Sequence, residues 1–66
     1  MTIDLNGEPR DVPTDMSLAD LMTELTGSTR GSAAVVDGEV VPRSTWTTFR
    51  LRDGQHVELI TAVQGG

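Results

Sequence analysis

Three dipeptides, Asn6-Gly7, Asp37-Gly38 and Asp53-Gly54, cut this chain into short apolar stretches. Asn-Gly and Asp-Gly between strand-forming residues favour the type I′ turn, because that turn needs φ > 0 at both central positions. A chain punctuated in this way has to double back tightly, and its sheet has to be assembled from hairpins. Residues 1–5 alternate as a strand does, with Ile3 and Leu5 on one face. The return strand covers 8–12, and the simplest register sets Leu5 opposite Glu8 and Ile3 opposite Arg10. Opposite residues share a face, so charge falls beside core residues. Either the hairpin is bulged or this end of the sheet is frayed. Pro9 fits an edge strand, where its missing N–H is harmless. The second hairpin joins 33–36 to 39–41 and stops at Pro42; a last strand, 56–63, follows the third turn.

Between the hairpins lies one helix. Leu18, Leu21, Met22 and Leu25 stand at i, i+3, i+4 and i+7, the apolar stripe of an amphipathic helix. Ser17 is placed as its N-cap, with Asp20 three residues on suiting the positive end of the dipole, and Gly27 is placed at C′. Residues 28–32 read as a polar loop. Residues 43–49 read as a loop or one short helical turn, with Ser44 as its cap and with Trp46 and Phe49, the only aromatics, covering the open end of the core. The order is ββαββ plus a final β: an α+β domain spanning 1–66, with a mixed sheet of four to five strands and one helix packed on one face.

One helix covers one face of a sheet. In the last strand Val57, Leu59, Thr61 and Val63 share one face, while His56, Glu58, Ile60 and Ala62 share the other. If the first set meets the helix, Ile60 and Ala62 lie uncovered, and exposed apolar residues there mark a docking patch. His56 is a surface strand residue on this reading.

At 66 residues the chain has room for one small core and not for a deep catalytic cleft. It has no cysteine, which excludes disulfides, a thiolate nucleophile and cysteine-held metal, and its one histidine makes neither a metal site nor a triad. No catalytic residue and no metal ligand is assigned. The net charge of −5 disfavours nucleic acid and favours a basic partner surface. No run reaches the roughly 18 apolar residues of a membrane span, and no signal-peptide pattern opens the sequence. A cytoplasmic protein, monomeric when free and without a membrane contact, is expected.

The sequence finishes on Val63-Gln64-Gly65-Gly66. Glycines pack no side chain and lose the most freedom on folding, so they offer a fold little. They read either as a frayed end or as a delivery arm, residues 64–66 forming a flexible tail thin enough to carry a carboxylate into another protein's active site. All five cations are arginine, so a chemically activated terminus meets no ε-amine within its own chain.

These elements together resemble the ubiquitin-like β-grasp fold and, more narrowly, the ThiS family of sulfur carriers in thiamine thiazole biosynthesis. The resemblance is carried by Ile3-x-Leu5-Asn6-Gly7-Glu8, the helix from Leu18 to Leu25, Val40-Val41-Pro42-Arg43 followed by Trp46, Asp53-Gly54, and Val57-Glu58 leading to Ala62-Val63-Gln64-Gly65-Gly66. Gln55, where the family often has Asp, departs from the pattern at a turn. The resemblance implies a protein cosubstrate and not an enzyme. Gly66 is implied to carry the sulfur as a terminal thiocarboxylate. Gly65, Gln64 and Val63 are implied to enter the partner's active site. Implied partners are a ThiF-type adenylating enzyme that uses ATP and Mg, a persulfide sulfur donor, and a ThiG-type thiazole synthase; no cofactor is bound by the carrier itself. The alternatives are a carrier of the molybdopterin-synthase small-subunit type and a ubiquitin-like protein tag. The stretch Val41-Pro42-Arg43-x-x-Trp46 favours ThiS over the former.

Overall fold

The computed structural model describes residues 1–26 and 32–61. Two of the dipeptides turn as their chemistry demands: Asn6 and Gly7 have φ of 53° and 88°, and Asp37 and Gly38 have 50° and 85°. They close the hairpins β1 (Thr2–Leu5) with β2 (Glu8–Asp11), and β3 (Ser32–Val36) with β4 (Glu39–Val41). The third differs. Only Gly54 is at positive φ, in a turn closed by Gln55 N–H to the Arg52 carbonyl, and it leads into β5 (His56–Thr61). The sheet has five strands in the order β2-β1-β5-β3-β4. The last strand is thus the middle one, parallel to β1 and antiparallel to β3.

The first hairpin takes the simple register, Leu5 opposite Glu8 and Ile3 opposite Arg10, with no bulge. Backbone bonds between Met1 and Val12, at 2.8 and 2.9 Å, extend its ladder by a rung. The conflict between Ile3 and Arg10 is resolved by reach. Arg10 lies on an edge strand, and its guanidinium leaves the apolar face to meet Glu24 of the helix at 3.2 Å, while Ile3 is buried. Pro9 sits on the same edge strand opposite Asp4, whose own N–H points the other way, to the carbonyl of Gln55 just before β5.

The helix α1 (Leu18–Thr26) begins with every early N–H satisfied. Leu18 N–H donates to the Phe49 carbonyl and Ala19 N–H to that of Trp46; Asp20 N–H donates to Ser17 Oγ at 3.0 Å, and Leu21 N–H to the Ser17 carbonyl. Ser17 is the cap its position promised, and the loop after β4 supplies the rest. That loop opens with a 3₁₀ turn over Arg43–Thr45. Ser44 lies inside this turn and does not cap it. Pro42 holds the cap position and has no side-chain acceptor, so the turn is closed by the Pro42 and Arg43 carbonyls. Gly27 and residues 28–31 lie outside the described residues.

Leu18, Leu21 and Met22 pack fully buried against Ile3, Ala34, Val36, Val41 and Val57 of the sheet, with Leu25 partly buried beside them. Trp46 is more than a cover: it is 1% exposed inside the core, and its Nε1 donates to the Val41 carbonyl at 2.8 Å. Phe49 is half-buried against the cluster.

Candidate functional site on the uncovered sheet face

Strand alternation and register place the residues of the face opposite α1. Val57 of β5 is buried under the helix, whereas His56, Glu58 and Ile60 point away from it and are exposed. Ile60 is 55% exposed and stands opposite Ala33; Glu58 stands opposite Val35, and Val35 opposite Val40. Val40 is 71% exposed. Ala33, Val35, Val40 and Ile60 therefore form one apolar patch across β3, β4 and β5. Sequence parity singled out Ile60 and missed Val40, because β4 is three residues long and Val40-Val41 shows no alternation. The signal that finds Val40 is register: it pairs with Val35 on the face where Glu58 and Ile60 already lie.

The other half of this face, over β1 and β2, is polar. His56 Nδ1 lies 3.1 Å from Asp4 Oδ2, and Thr2 Oγ1 donates to Asp11 Oδ1 at 2.7 Å. The strand residues of the face carry three carboxylates, Asp4, Asp11 and Glu58, and no arginine. A surface complementary to it is apolar opposite β3 and β4 and basic opposite β1 and β2. An open hollow of about 500 Å³ lies where β1 turns away from β5, lined by Asp4, Asn6, Gly7, His56, Val57 and Glu58.

The turns also fasten β5. Asp37 Oδ1 accepts from His56 N–H at 3.0 Å, Asp37 N–H donates to the His56 carbonyl at 2.8 Å, and Asn6 Oδ1 accepts from Leu59 N–H at 2.9 Å. Gln55 bridges two turns, accepting from Arg52 N–H and donating to Asp37 Oδ2. Of the site residues expected from sequence, Ile60 is placed on this face; Ala62, Val63, Gln64, Gly65 and Gly66 lie outside the described residues. Among the described residues no three His, Asp or Glu converge as metal ligands, and no helix is long and apolar enough to cross a membrane.

A five-stranded mixed sheet with parallel first and last strands and one helix across it is a ubiquitin-like β-grasp domain. The pattern that defines the ThiS family matches residues 3–66, and the chain belongs to that family. Its backbone is similar to the crystal structure of the thiamine biosynthesis protein ThiS from Geobacter metallireducens, with a TM-score of 0.84 at 25% identity over the whole of both chains. It is also similar to the solution structure of a thiamine biosynthesis protein from the same organism, with a TM-score of 0.81 at 25% identity, covering all of this chain and 88% of that one. A thiazole synthase of Paramagnetospirillum magneticum is 30% identical over 66 residues, all of this chain and 20% of that protein. The chain thus spans a fifth of the length of that curated relative.

Proposed function

We propose that this ThiS-family chain is a sulfur carrier of thiamine biosynthesis that acts through the carboxylate of Gly66. A carboxylate resists nucleophiles because it is anionic and its oxygen leaves badly. In this reading an adenylating enzyme uses MgATP to form the acyl-adenylate, releasing pyrophosphate. The terminal sulfur of a persulfide attacks the acyl carbon and AMP leaves. A thiol then cleaves the resulting acyl disulfide and frees the thiocarboxylate, which a thiazole synthase consumes. Val63, Gln64, Gly65 and Gly66 reach into the partners' active sites, and Ile60 and Ala62 belong to the docking surface. The carrier supplies recognition and reach; the chemistry is its partners'. The match of this whole chain to one-fifth of a protein named thiazole synthase supports that acceptor. The observation that carries the reading is the exposed Ile60 on β5, the strand that precedes residues 62–66, in a chain of this family.

The test is incubation with the adenylating enzyme, MgATP and a persulfide donor, read by intact and C-terminal-peptide mass spectrometry. Wild type is expected to exchange one oxygen for one sulfur at Gly66. A chain lacking Gly66, or extended by one alanine, is expected to fold normally and supply no sulfur to thiazole formation, since misplacing a reacting atom by about 1 Å costs roughly 10²-fold. Equal sulfur transfer from the extended chain sinks the reading.

A further inference from the structure

The parallel ladder between β1 and β5 is short. It holds Asp4 N–H to the Gln55 carbonyl and Asn6 N–H to the Val57 carbonyl, both at 2.9 Å. With the two-residue period of a strand, the next rung falls to the N–H of Leu59. No backbone carbonyl of β1 meets it, because β1 ends at Leu5 and Asn6, at φ 53°, has already entered the turn. The side chain of Asn6 supplies the acceptor instead: its Oδ1 takes the Leu59 N–H at 2.9 Å. Asparagine suits both tasks, since it tolerates positive φ and its carboxamide mimics a peptide carbonyl. On its other side β5 is paired with β3 as far as Thr61. On the β1 side the open hollow lined by Asp4, Asn6, His56 and Glu58 begins here.

We propose that Asn6 is a positioning residue for sulfur loading: its carboxamide oxygen fixes Leu59 N–H and so sets the direction in which the end of β5 presents the chain beyond it. The inference rests on the carrier reading above. Asn6 touches none of the reacting atoms; it acts through Leu59. Without the bond, the segment from Leu59 to Thr61 keeps, among the described residues, backbone pairing on its β3 side only, and the docked carrier spends less of its time with the terminus in line for adenylation.

Asn6→Gly keeps the turn, because glycine accepts φ > 0, and removes the acceptor. Asn6→Asp keeps both. A third form, in which Leu59 is introduced by semisynthesis as its α-hydroxy acid, removes the N–H and leaves Asn6 in place. Amide hydrogen exchange should show Leu59 about tenfold faster in N6G, the scale of one hydrogen bond, with Val57 unchanged. In the loading assay, N6G and the ester form should lose about tenfold in kcat with KM for the carrier unchanged, and N6D should restore kcat. Should N6G fail to fold, the ester form and N6D carry the same comparison. Wild-type kcat in either N6G or the ester form overturns the assignment; in the second case the side chain acts by direct contact and not through Leu59. If wild type itself acquires no sulfur, the carrier reading fails and this assignment falls with it.

Discussion

The two faces of the sheet are built from the same strands and have opposite fates. Under the helix, Ile3, Ala34, Val36 and Val57 meet Leu18, Leu21 and Met22 and are buried. On the other face, Ala33 and Val35 are half-buried and Val40 and Ile60 exposed, with nothing of this chain's described residues over them. A lone exposed isoleucine on a small domain needs no explanation. Four apolar residues joined by cross-strand pairing over three strands, beside a half-face of carboxylates, form a surface whose apolar and charged parts are segregated. The covered face is explained by the fold alone. The uncovered one is not explained by burial among the described residues, and its composition is what the proposed docking surface would account for.

Exchanging single residues between these regimes tests the contrast, and the largest effect belongs to the covered face. Leu21→Ala opens a cavity under the sheet and should destabilise the protein by about 2–5 kcal/mol, a large share of the stability of so small a domain. A thermal melt near that of wild type would mean that the helix stripe is not the core. Ile60→Asp should leave stability within about 1 kcal/mol, since the side chain is largely in water. It should weaken binding to the adenylating enzyme by at least about tenfold, roughly 1.4 kcal/mol, by forcing a charge into an apolar contact. Calorimetric titration with an unchanged affinity removes the docking surface, and global unfolding would put Ile60 on the wrong face. The smallest effect lies at the seam, where Arg10 of β2 meets Glu24 of the helix. Both side chains are well exposed, at 39% and 55%, so Glu24→Gln should cost about 0–1 kcal/mol. The loss should shrink in high salt, and a larger, salt-insensitive loss in chemical denaturation would show that the pair is a structural clamp.

What could be read from the sequence was whatever is written locally. The turn at Asp37-Gly38, the cap at Ser17, the stripe from Leu18 to Leu25 and the parity of Val57 against Ile60 each depend on residues within a few positions of one another, and each stands in the structure. The register of the first hairpin was ambiguous for the opposite reason. Arg10 beside Ile3 is acceptable because its long side chain reaches off the apolar face from an edge strand, where Glu24, 14 residues further on, meets it. Asn6 was legible as a turn residue and not as the partner of Leu59, 53 positions away. Ser44 was misread as a cap because a hydroxyl near a helical turn is a good local signal, while Pro42 and its carbonyl close the turn with no side-chain signature. Of the expected site, Ile60 followed from alternation alone, and Val40 needed a pairing that no three-residue strand can announce.

The order of the strands has a consequence for how the protein comes into being. β5 is made after the other described strands and sits in the middle, so the pairings Asp4–His56 and Leu5–Val57 join the first described strand to the last. Such distant contacts delay folding, because the intervening chain has to be closed into a loop before they form. During synthesis from the N-terminus the two hairpins and the helix can form piecemeal, but they have no shared sheet until His56–Thr61 arrives between them. A nascent chain cut short before β5 is left as two separate hairpins, each too small to persist in water. The native sheet is thereby open only to chains whose translation has run through β5, the strand that leads to the residues proposed to carry sulfur.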